Sequence, residues 1–418
     1  MSRLTRLYRL GEEIESNAST LAGYIAEEAG STVSHAQLEL GLGAQAFKTF
    51  DREIPAVRKR GRAGKVAIIL PYNSVGVLLP MSLGAAYLGG NEVEIHLSGK
   101  TKKTAALLEG IVRDSLGKRV SFNHEESKGF LTRHFSNDTA VIHVFGHDSW
   151  VKGYEAQVRK SKKKFIFEGP GKDPCIILND ADLDTYARTI TLGSYANSGQ
   201  VCMSLERYYV HEEILPRTAE ALVEITKTLN VGDPRNPATD IGPIMSRRAI
   251  ENIVAQLEDA TQKGAQVLSG GTVIEKEWGG TTLYWVTPTI LTGVTREMKV
   301  MTEETFGPLI PIQSFKENRE ALAEANGIRY ALGSSVFGDS EAEALARELR
   351  KTHGFSLVNS TYLQGFDPHA PWGGFKDSGW IWETAEGIFK HRDGPKQLIA
   401  EFTKPSRGIV HRIISAWH

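Results

Sequence analysis

Two doubly wound α/β domains are what this sequence predicts, and three observations predict them. At 418 residues the chain is longer than one hydrophobic core ordinarily organises. Short apolar runs alternate with helix-period segments along nearly all of it, the pattern of parallel strands joined by crossover helices. Its 41 glycines supply the tight strand–helix turns that such sheets require. Composition bounds the rest. A hydrophobic content of 41% with 24% charged residues is that of an ordinary soluble globular chain. A net charge of −1 offers no basic field to nucleic acid. No apolar run approaches the roughly 20 residues that cross a bilayer, so no membrane partner is expected. Two cysteines, Cys175 and Cys202, build no disulfide framework, and a reducing, cytoplasmic setting is expected.

The elements follow in order. Leu7, Leu10, Ile14, Leu21 and Ile25 keep helical spacing with charges between them, and a further helix is expected over 34–51. Residues 1–10 are basic enough to imitate a presequence, but Glu12, Glu13 and Glu15 follow at once and the pattern continues as a surface helix. Arg58-Lys59-Arg60-Gly61-Arg62 reads as a solvated turn or hairpin. Lys65-Val66-Ala67-Ile68-Ile69-Leu70 is a continuous apolar run that fits a buried strand. A helix over 75–88, a strand over 93–97, a helix over 101–114, a strand over 140–145 and a helix near 149–159 come next. Neither G-x-G-x-x-G nor G-x-x-x-x-G-K-S/T occurs, so a dinucleotide would bind without the usual glycine fingerprint. Lys164-Phe165-Ile166-Phe167-Glu168 is a strand ending in an acid, ahead of Gly169-Pro170-Gly171. A strand at 175–178 leads to a helix ending near 195. Asp180, Asp182 and Asp184 begin that helix, where its dipole favours carboxylates. Beyond Cys202 the alternation resumes. Strands are expected near 208–210, 266–268, 309–315, 334–337 and 356–359, with helices over 214–228, 247–263, 319–326 and 341–352. Residues 397–402 read as a strand and 409–417 as a short amphipathic end.

Three residues carry the chemical expectation. Cys202 lies in Asn197-Ser198-Gly199-Gln200-Val201-Cys202-Met203, which presents a thiol at a loop tip before the chain returns to a strand. A thiolate suits attack on a carbonyl compound that must be held as a thiohemiacetal or thioester. A lone cysteine is as readily a buried core residue, and Cys175, inside an apolar strand, is read that way. Glu168, beside a Gly-Pro-Gly turn, is either a cap or a base that projects into a cleft and deprotonates a thiol or a water. Asn73, in Pro71-Tyr72-Asn73, is either a turn residue or a neutral NH2 donor to an oxyanion.

Five motifs in this order resemble those of the aldehyde dehydrogenase superfamily over nearly the whole chain. Pro71-Tyr72-Asn73 resembles Pro-Trp-Asn. Phe167-Glu168-Gly169-Pro170-Gly171-Lys172 resembles the glutamate motif, and Gly199-Gln200-Val201-Cys202 with Arg207 the cysteine motif, 34 residues after Glu168. Glu303-Glu304-Thr305-Phe306-Gly307-Pro308 resembles Glu-Glu-x-Phe-Gly-Pro. Asn359 with Pro371-Trp372-Gly373-Gly374-Phe375-Lys376-Asp377-Ser378-Gly379 resembles the C-terminal motif. The resemblance implies a cofactor-binding domain over 1–170, completed by a return segment at 376–394, and a catalytic domain over 171–375. It also implies a short oligomerisation element built from a hairpin near 51–65 and from 395–418. It implies Cys202 as nucleophile, Asn73 with the Cys202 N–H as oxyanion donors, and Glu168 as the base that activates water. It further implies that Glu304 holds the nicotinamide ribose, with Phe306, Tyr72, Gly146, His96 and Ser149 on the cofactor side and NAD or NADP as cofactor. Lys172 and Arg207 are read as structural.

Departures from the family pattern shape further expectations. His96-Leu97-Ser98-Gly99 stands where Lys-Pro-Ser-Glu is usual, and of the Gly-Ser-x-x-x-Gly turn only Gly146 remains. Weak or unusual cofactor binding is expected, with NAD and NADP both open. Ser82 stands where a lysine close to the catalytic glutamate is common, so Glu383 is expected to exchange protons with Glu168 through water. The aldehyde pocket is expected from Leu78, Met81, Val201, Met203, Tyr362, Phe366 and Trp372, of which the three aromatics could each equally pack their loop. A short oligomerisation element favours a dimer. No metal is expected. Two alternatives stand beside an NAD(P)-dependent, non-acylating enzyme: a CoA-acylating or acyl-reducing relative, against which Glu168 argues, and a binding protein that has lost turnover.

Overall fold

The computed structural model describes residues 1–278, 281–385 and 388–405. In chain order the strands of its two large sheets begin with β1 (Lys65–Leu70), β2 (Glu92–Leu97), β3 (Val120–Asn123), β4 (Thr139–Phe145) and β5 (Lys164–Glu168). Next come β6 (Asp173–Ile177), β7 (Leu205–His211), β8 (Gln266–Ser269), β9 (Thr289–Thr292), β10 (Leu309–Phe315), β11 (Ser335–Phe337) and β12 (Leu357–Val358). β13 (Gly379–Ala385) and β14 (Ile388–Asp393) close the series. The first sheet runs β14-β13-β5-β4-β1-β2-β3, with β1 to β5 mutually parallel and β13–β14 an antiparallel hairpin on β5. The second runs β12-β11-β6-β7-β10-β9-β8 and is parallel except at its edge strand β8.

The unbroken apolar runs are explained by where their side chains go. Along β1, Val66, Ile68 and Leu70 enter one core while Ala67 and Ile69 enter another on the opposite face. Along β6, Ile176 faces one core and Cys175 and Ile177 the other. Strands covered on both faces need apolar residues at every position. Three helices, Arg3–Ser16, Ala18–Ala29 and Val33–Lys48, cover the first sheet with Leu7, Leu10, Leu21, Leu40 and Phe47. After β1, Val75–Leu79 and Ala85–Leu88 are helical, and Pro80–Gly84 between them close as a wider π turn. Ser82 inside that turn is buried, and its hydroxyl has no partner among the described residues.

From β1 the chain builds outward to β2 and β3, then returns past β1 to β4 and β5. The strand order therefore reverses between β1 and β4, and the crevice outside their carboxyl ends is where such sheets bind ligands.

Several expectations are corrected. Residues 397–402 do not form a strand: Leu398–Glu401 is a helical turn, and the strand is Thr403–Pro405, antiparallel to Arg60–Arg62. The basic segment near 51–65 therefore pairs with the distant C-terminal region and not with a local hairpin partner. β3, the helix Ser127–Ser136 and the hairpins Val273–Trp278/Thr281–Val286 and β13–β14 add elements that the periodicity did not mark. The expected end segment at 409–417 lies outside the described residues. Among the described residues no helix is long and apolar enough to cross a membrane, and no cluster of His, Cys, Asp or Glu could hold a metal.

Candidate active site

The carboxyl ends of β1, β4 and β5 open on a cavity of about 740 Å³. Its walls include Tyr72 and Asn73 after β1, Gly146 and His147 after β4, and Glu168 at the end of β5. The second sheet's side contributes Cys202, Glu304 and Phe306.

Local conformation explains how the thiol is presented. The helix Leu183–Tyr195, capped by Asp182 on Thr185 N–H at 3.1 Å, is followed after Ala196 by three successive left-handed residues. Asn197, Ser198 and Gly199 have φ of 51°, 58° and 73°. Each of the two non-glycine residues costs about 1–2 kcal/mol in that region. Hydrogen bonds hold them there: Ser198 Oγ donates to Gly242 O (3.1 Å) and accepts from Gly242 N–H (2.9 Å), and Gln200 Nε2 donates to Pro243 O (3.1 Å). Asn197 Nδ2 donates to Asn73 O at 3.2 Å, and Asn73 Nδ2 donates to Gln200 O at 3.1 Å. The β1 turn and the cysteine loop are thereby locked together, with the Asn73 amide directed at the loop. Gly171 must lack a side chain, because a Cβ there would lie 1.9 Å from Cys202 O.

The electrostatics separate the acids by role. Burial pushes Glu168 up to about 7, and Lys396, whose Nζ donates to Glu168 Oε1 at 3.1 Å, pulls against it. Burial, then the carboxyls of Glu304 and Asp173, and Glu168 more weakly, push the Cys202 thiol up, so it rests protonated and needs a base. Glu304 is also raised well above the carboxylate range by burial and by Glu206, and its Oε1 accepts from Gly171 N–H at 3.2 Å. A thiol, a carboxyl that titrates near neutrality and an amide donor around one cavity can attack a carbonyl and then hydrolyse the adduct.

Lys172 and Arg207 are structural. Lys172 Nζ donates to Glu206 Oε2 (2.8 Å) and Thr305 Oγ1 (2.7 Å). Buried Arg207 donates to Lys172 O, Glu324 O and Ala325 O. Glu206 accepts from Thr305 N–H (2.7 Å) and Phe306 N–H (2.9 Å), so this buried pair carries the Glu304–Phe306 loop. The sequence offered only one signal for Glu206: an acid next to Arg207 at the start of a strand.

Not every expected residue reaches the cavity. His96 is buried, with its ring bonded to Ser127 Oγ (2.9 Å) and Asn123 O (3.3 Å), away from the lining. Ser149 is turned to His147, Oγ to Nδ1 at 2.8 Å. Leu78 and Trp372 line the cavity, whereas Met81, Val201, Met203 and Tyr362 are packed into the first core with Phe366 against it. Glu383 is bonded to Arg392 (3.0 Å) and lies 3.5 Å from Lys164. Gly379 pairs with Glu168, and β13 runs on in extended form, which carries Glu383 about 13 Å along the strand from that point. Lys396, not Glu383, is the titratable neighbour of Glu168. His147, Arg248, Asn252, Arg329 and Tyr330 line the cavity unannounced by the motifs.

Comparison with known proteins follows the same residues. The model of the aldehyde dehydrogenase family matches residues 1–391. The chain belongs to the aldehyde dehydrogenase family. The 2-hydroxymuconic semialdehyde dehydrogenase of Pseudomonas sp. strain CF600 is 31% identical over 76% of this chain and 65% of its own length. The Arabidopsis thaliana aldehyde dehydrogenase family 2 member C4 is 29% identical, and the chain spans 62% of its length. A crystal structure of aldehyde dehydrogenase from Brucella melitensis biovar abortus superposes with a TM-score of 0.84 at 27% identity, covering 96% of this chain and 83% of that one. The glyceraldehyde-3-phosphate dehydrogenase of Methanocaldococcus jannaschii, solved with NADP, gives 0.82 at 26% identity over 96% and 88%. The cavity suits the nicotinamide end of the cofactor that such aldehyde dehydrogenases carry. Glu304, its carboxyl raised by burial and its Oε1 tied to Gly171, offers the wall an oxygen for a ribose hydroxyl.

Proposed function

We propose that this chain oxidises an aldehyde to a carboxylic acid with NAD or NADP, through a thiohemiacetal and then a thioester on Cys202. The observation that carries the reading is that Cys202, Glu168, Asn73 and Glu304, far apart in sequence, line one cavity at the sheet's switch point. Glu168 takes the Cys202 proton, and the thiolate attacks the aldehyde carbon. The Asn73 amide and the Cys202 N–H stabilise the alkoxide; one such donor lowers the barrier by about 3 kcal/mol. When bound, the nicotinamide supplies the hydride acceptor. Glu304 and Phe306 place it, held by the Lys172–Glu206 pair. Glu168 passes the thiol proton to solvent and then removes a proton from water as it adds to the thioester; the C–S bond breaks, the acid leaves and Cys202 is regenerated. On this reading residues 1–170 with 376–394 bind the cofactor and 171–375 carry the nucleophile. The short strand pair Arg60–Arg62/Thr403–Pro405 takes part in a homodimer.

The relatives' names span small aldehydes such as lactaldehyde and 2-hydroxymuconic semialdehyde, which set the panel to use. NAD(P)H absorbance is followed with each aldehyde, with NAD and with NADP, with and without CoA. The reading fails if no aldehyde gives a signal and neither cofactor shifts the melting temperature. A signal that requires CoA favours the acylating alternative. Light scattering after size exclusion checks the dimer.

A further inference from the structure

The base of the cavity is held by a residue that no motif announces. Lys396 lies beyond residues 1–391, the part that the family model matches. Its Nζ donates to Glu168 Oε1 at 3.1 Å, and the two side chains are 3% and 0% exposed. Its backbone is fixed by a two-way bridge: Trp372 N–H donates to Lys396 O and Lys396 N–H to Trp372 O, each at 2.9 Å. Gly373, at φ +137°, leaves room for the ammonium, since a Cβ there would lie 2.4 Å from Nζ. Glu168 Oε2 has no partner among the described residues, while Glu168 lines the cavity. One carboxylate oxygen is anchored and the other is left for a substrate or a water.

We propose that Lys396 is the positioning residue of the general base: it anchors Glu168 through Oε1 and holds the negative charge that the base needs to release the acyl group from Cys202. This rests on the roles proposed for Cys202 and Glu168. In the step itself Glu168 Oε2 accepts a proton from water, and the water oxygen bonds to the thioester carbonyl carbon. The C–S bond then breaks, and the sulfur leaves as thiolate and regains a proton. Lys396 exchanges no atoms with the substrate. On the cavity side the Cys202 thiol interacts with Glu168, and the carboxyls of Glu304 and Asp173 act on that thiol in turn. On the other side are His143 of β4 and Asp393 at the end of β14. His143 is fully buried with neither ring nitrogen bonded among the described residues, and burial, then Lys396, push it down to about 3, so it stays neutral. Asp393 is raised by burial, with Lys396 and His391 opposing. Lys396 is therefore the cation on Glu168.

The test needs no cofactor. p-Nitrophenyl acetate acetylates a reactive thiol, so the first-turnover release of nitrophenolate reports acylation and the steady rate reports thioester hydrolysis. Full-length protein is compared with Lys396→Gln and Lys396→Arg across the pH range. The Gln variant should keep the burst amplitude at alkaline pH and shift the acid limb of hydrolysis upward, with the acid limb of the burst rate moving alongside it because Glu168 also takes the Cys202 proton. A displacement of one unit is a loss of about tenfold near neutral pH. Arg should restore most of the profile. A Gln variant whose hydrolysis profile coincides with that of the unsubstituted protein overturns the inference while leaving the function intact. Absence of the burst in the unsubstituted protein overturns the functional reading and this inference with it. Should the Gln variant not fold, Gly373→Ala, whose methyl crowds the ammonium without removing it, must displace the limb in the same direction, or the inference falls.

Discussion

Glu206→Ala isolates the buried clamp behind the cavity. Glu206 receives three donors, Lys172 Nζ at 2.8 Å, Thr305 N–H at 2.7 Å and Phe306 N–H at 2.9 Å. Its side chain is 2% exposed and that of Lys172 is 0%. Removing the carboxylate leaves an ammonium in the core with only Thr305 Oγ1 to bond, and breaking such a pair from one side costs about 3–5 kcal/mol. For a folding unit of roughly 150–250 residues that is a fall in Tm of about 6–20 °C. Differential scanning calorimetry measures it. The cofactor's own stabilising shift should shrink in parallel, since the Glu304–Phe306 loop loses two anchors. Lys172→Met combined with Glu206→Leu removes both charges and should recover the part of the loss due to the unpaired ammonium, while the Thr305 and Phe306 N–H groups, left without their acceptor, keep the rest. A single substitution that costs less than about 1 kcal/mol, or a double variant worse than the two singles summed, would refute the reasoning.

Three further outcomes are expected. Asn73→Ala should lower kcat by about 100- to 1,000-fold with the fold kept, checked by steady-state kinetics beside circular dichroism. Gly171→Ala forces a methyl to within 1.9 Å of Cys202 O, so the thiol must shift; a loss of about 100-fold in thiol acylation is expected, read from the nitrophenyl ester burst. Burial raises Asp173 to about 8, so the stability it contributes below its unfolded pKa is lost as pH rises from about 4 through 8. Asp173→Asn should therefore flatten the dependence of Tm on pH across that window and be the more stable protein at its alkaline end.

How far the sequence reached depends on whether a feature is local. Val66 to Leu70 spelled a doubly covered strand because every position is apolar, and the reversal of strand order then placed the turns after β1 and β4 together. Gln397-Leu398-Ile399-Ala400-Glu401-Phe402 is apolar too, but a run that short satisfies helix and strand alike, and tertiary contacts chose a helical turn. Cys202, Glu168, Asn73 and Glu304 were legible because each sits in a motif at a turn. Lys396 was not: it meets Glu168 across 228 residues, and nothing around it in the chain marks the meeting. Ser82, at the position where a lysine was missing, gave half of that message. Glu383 was expected beside Glu168, but the extended hairpin strand Gly379–Ala385 carries it away from that residue. His96 was assigned to the cofactor side by the resemblance, yet its ring serves the packing between β2 and the helix Ser127–Ser136.

The π turn at Pro80–Gly84 acts as a phase shifter. A single extra residue in a helix rotates everything after it by about 100° relative to everything before it. Val75–Leu79 can therefore orient toward the cavity, where Leu78 forms part of the wall, while Ala85–Leu88 meets the core in a register that an unbroken helix would not supply. The two ends of one helix are thus free to answer to different constraints, chemistry at one and packing at the other. A one-residue deletion inside the turn would leave composition and length almost untouched, yet force those two ends back into a single phase.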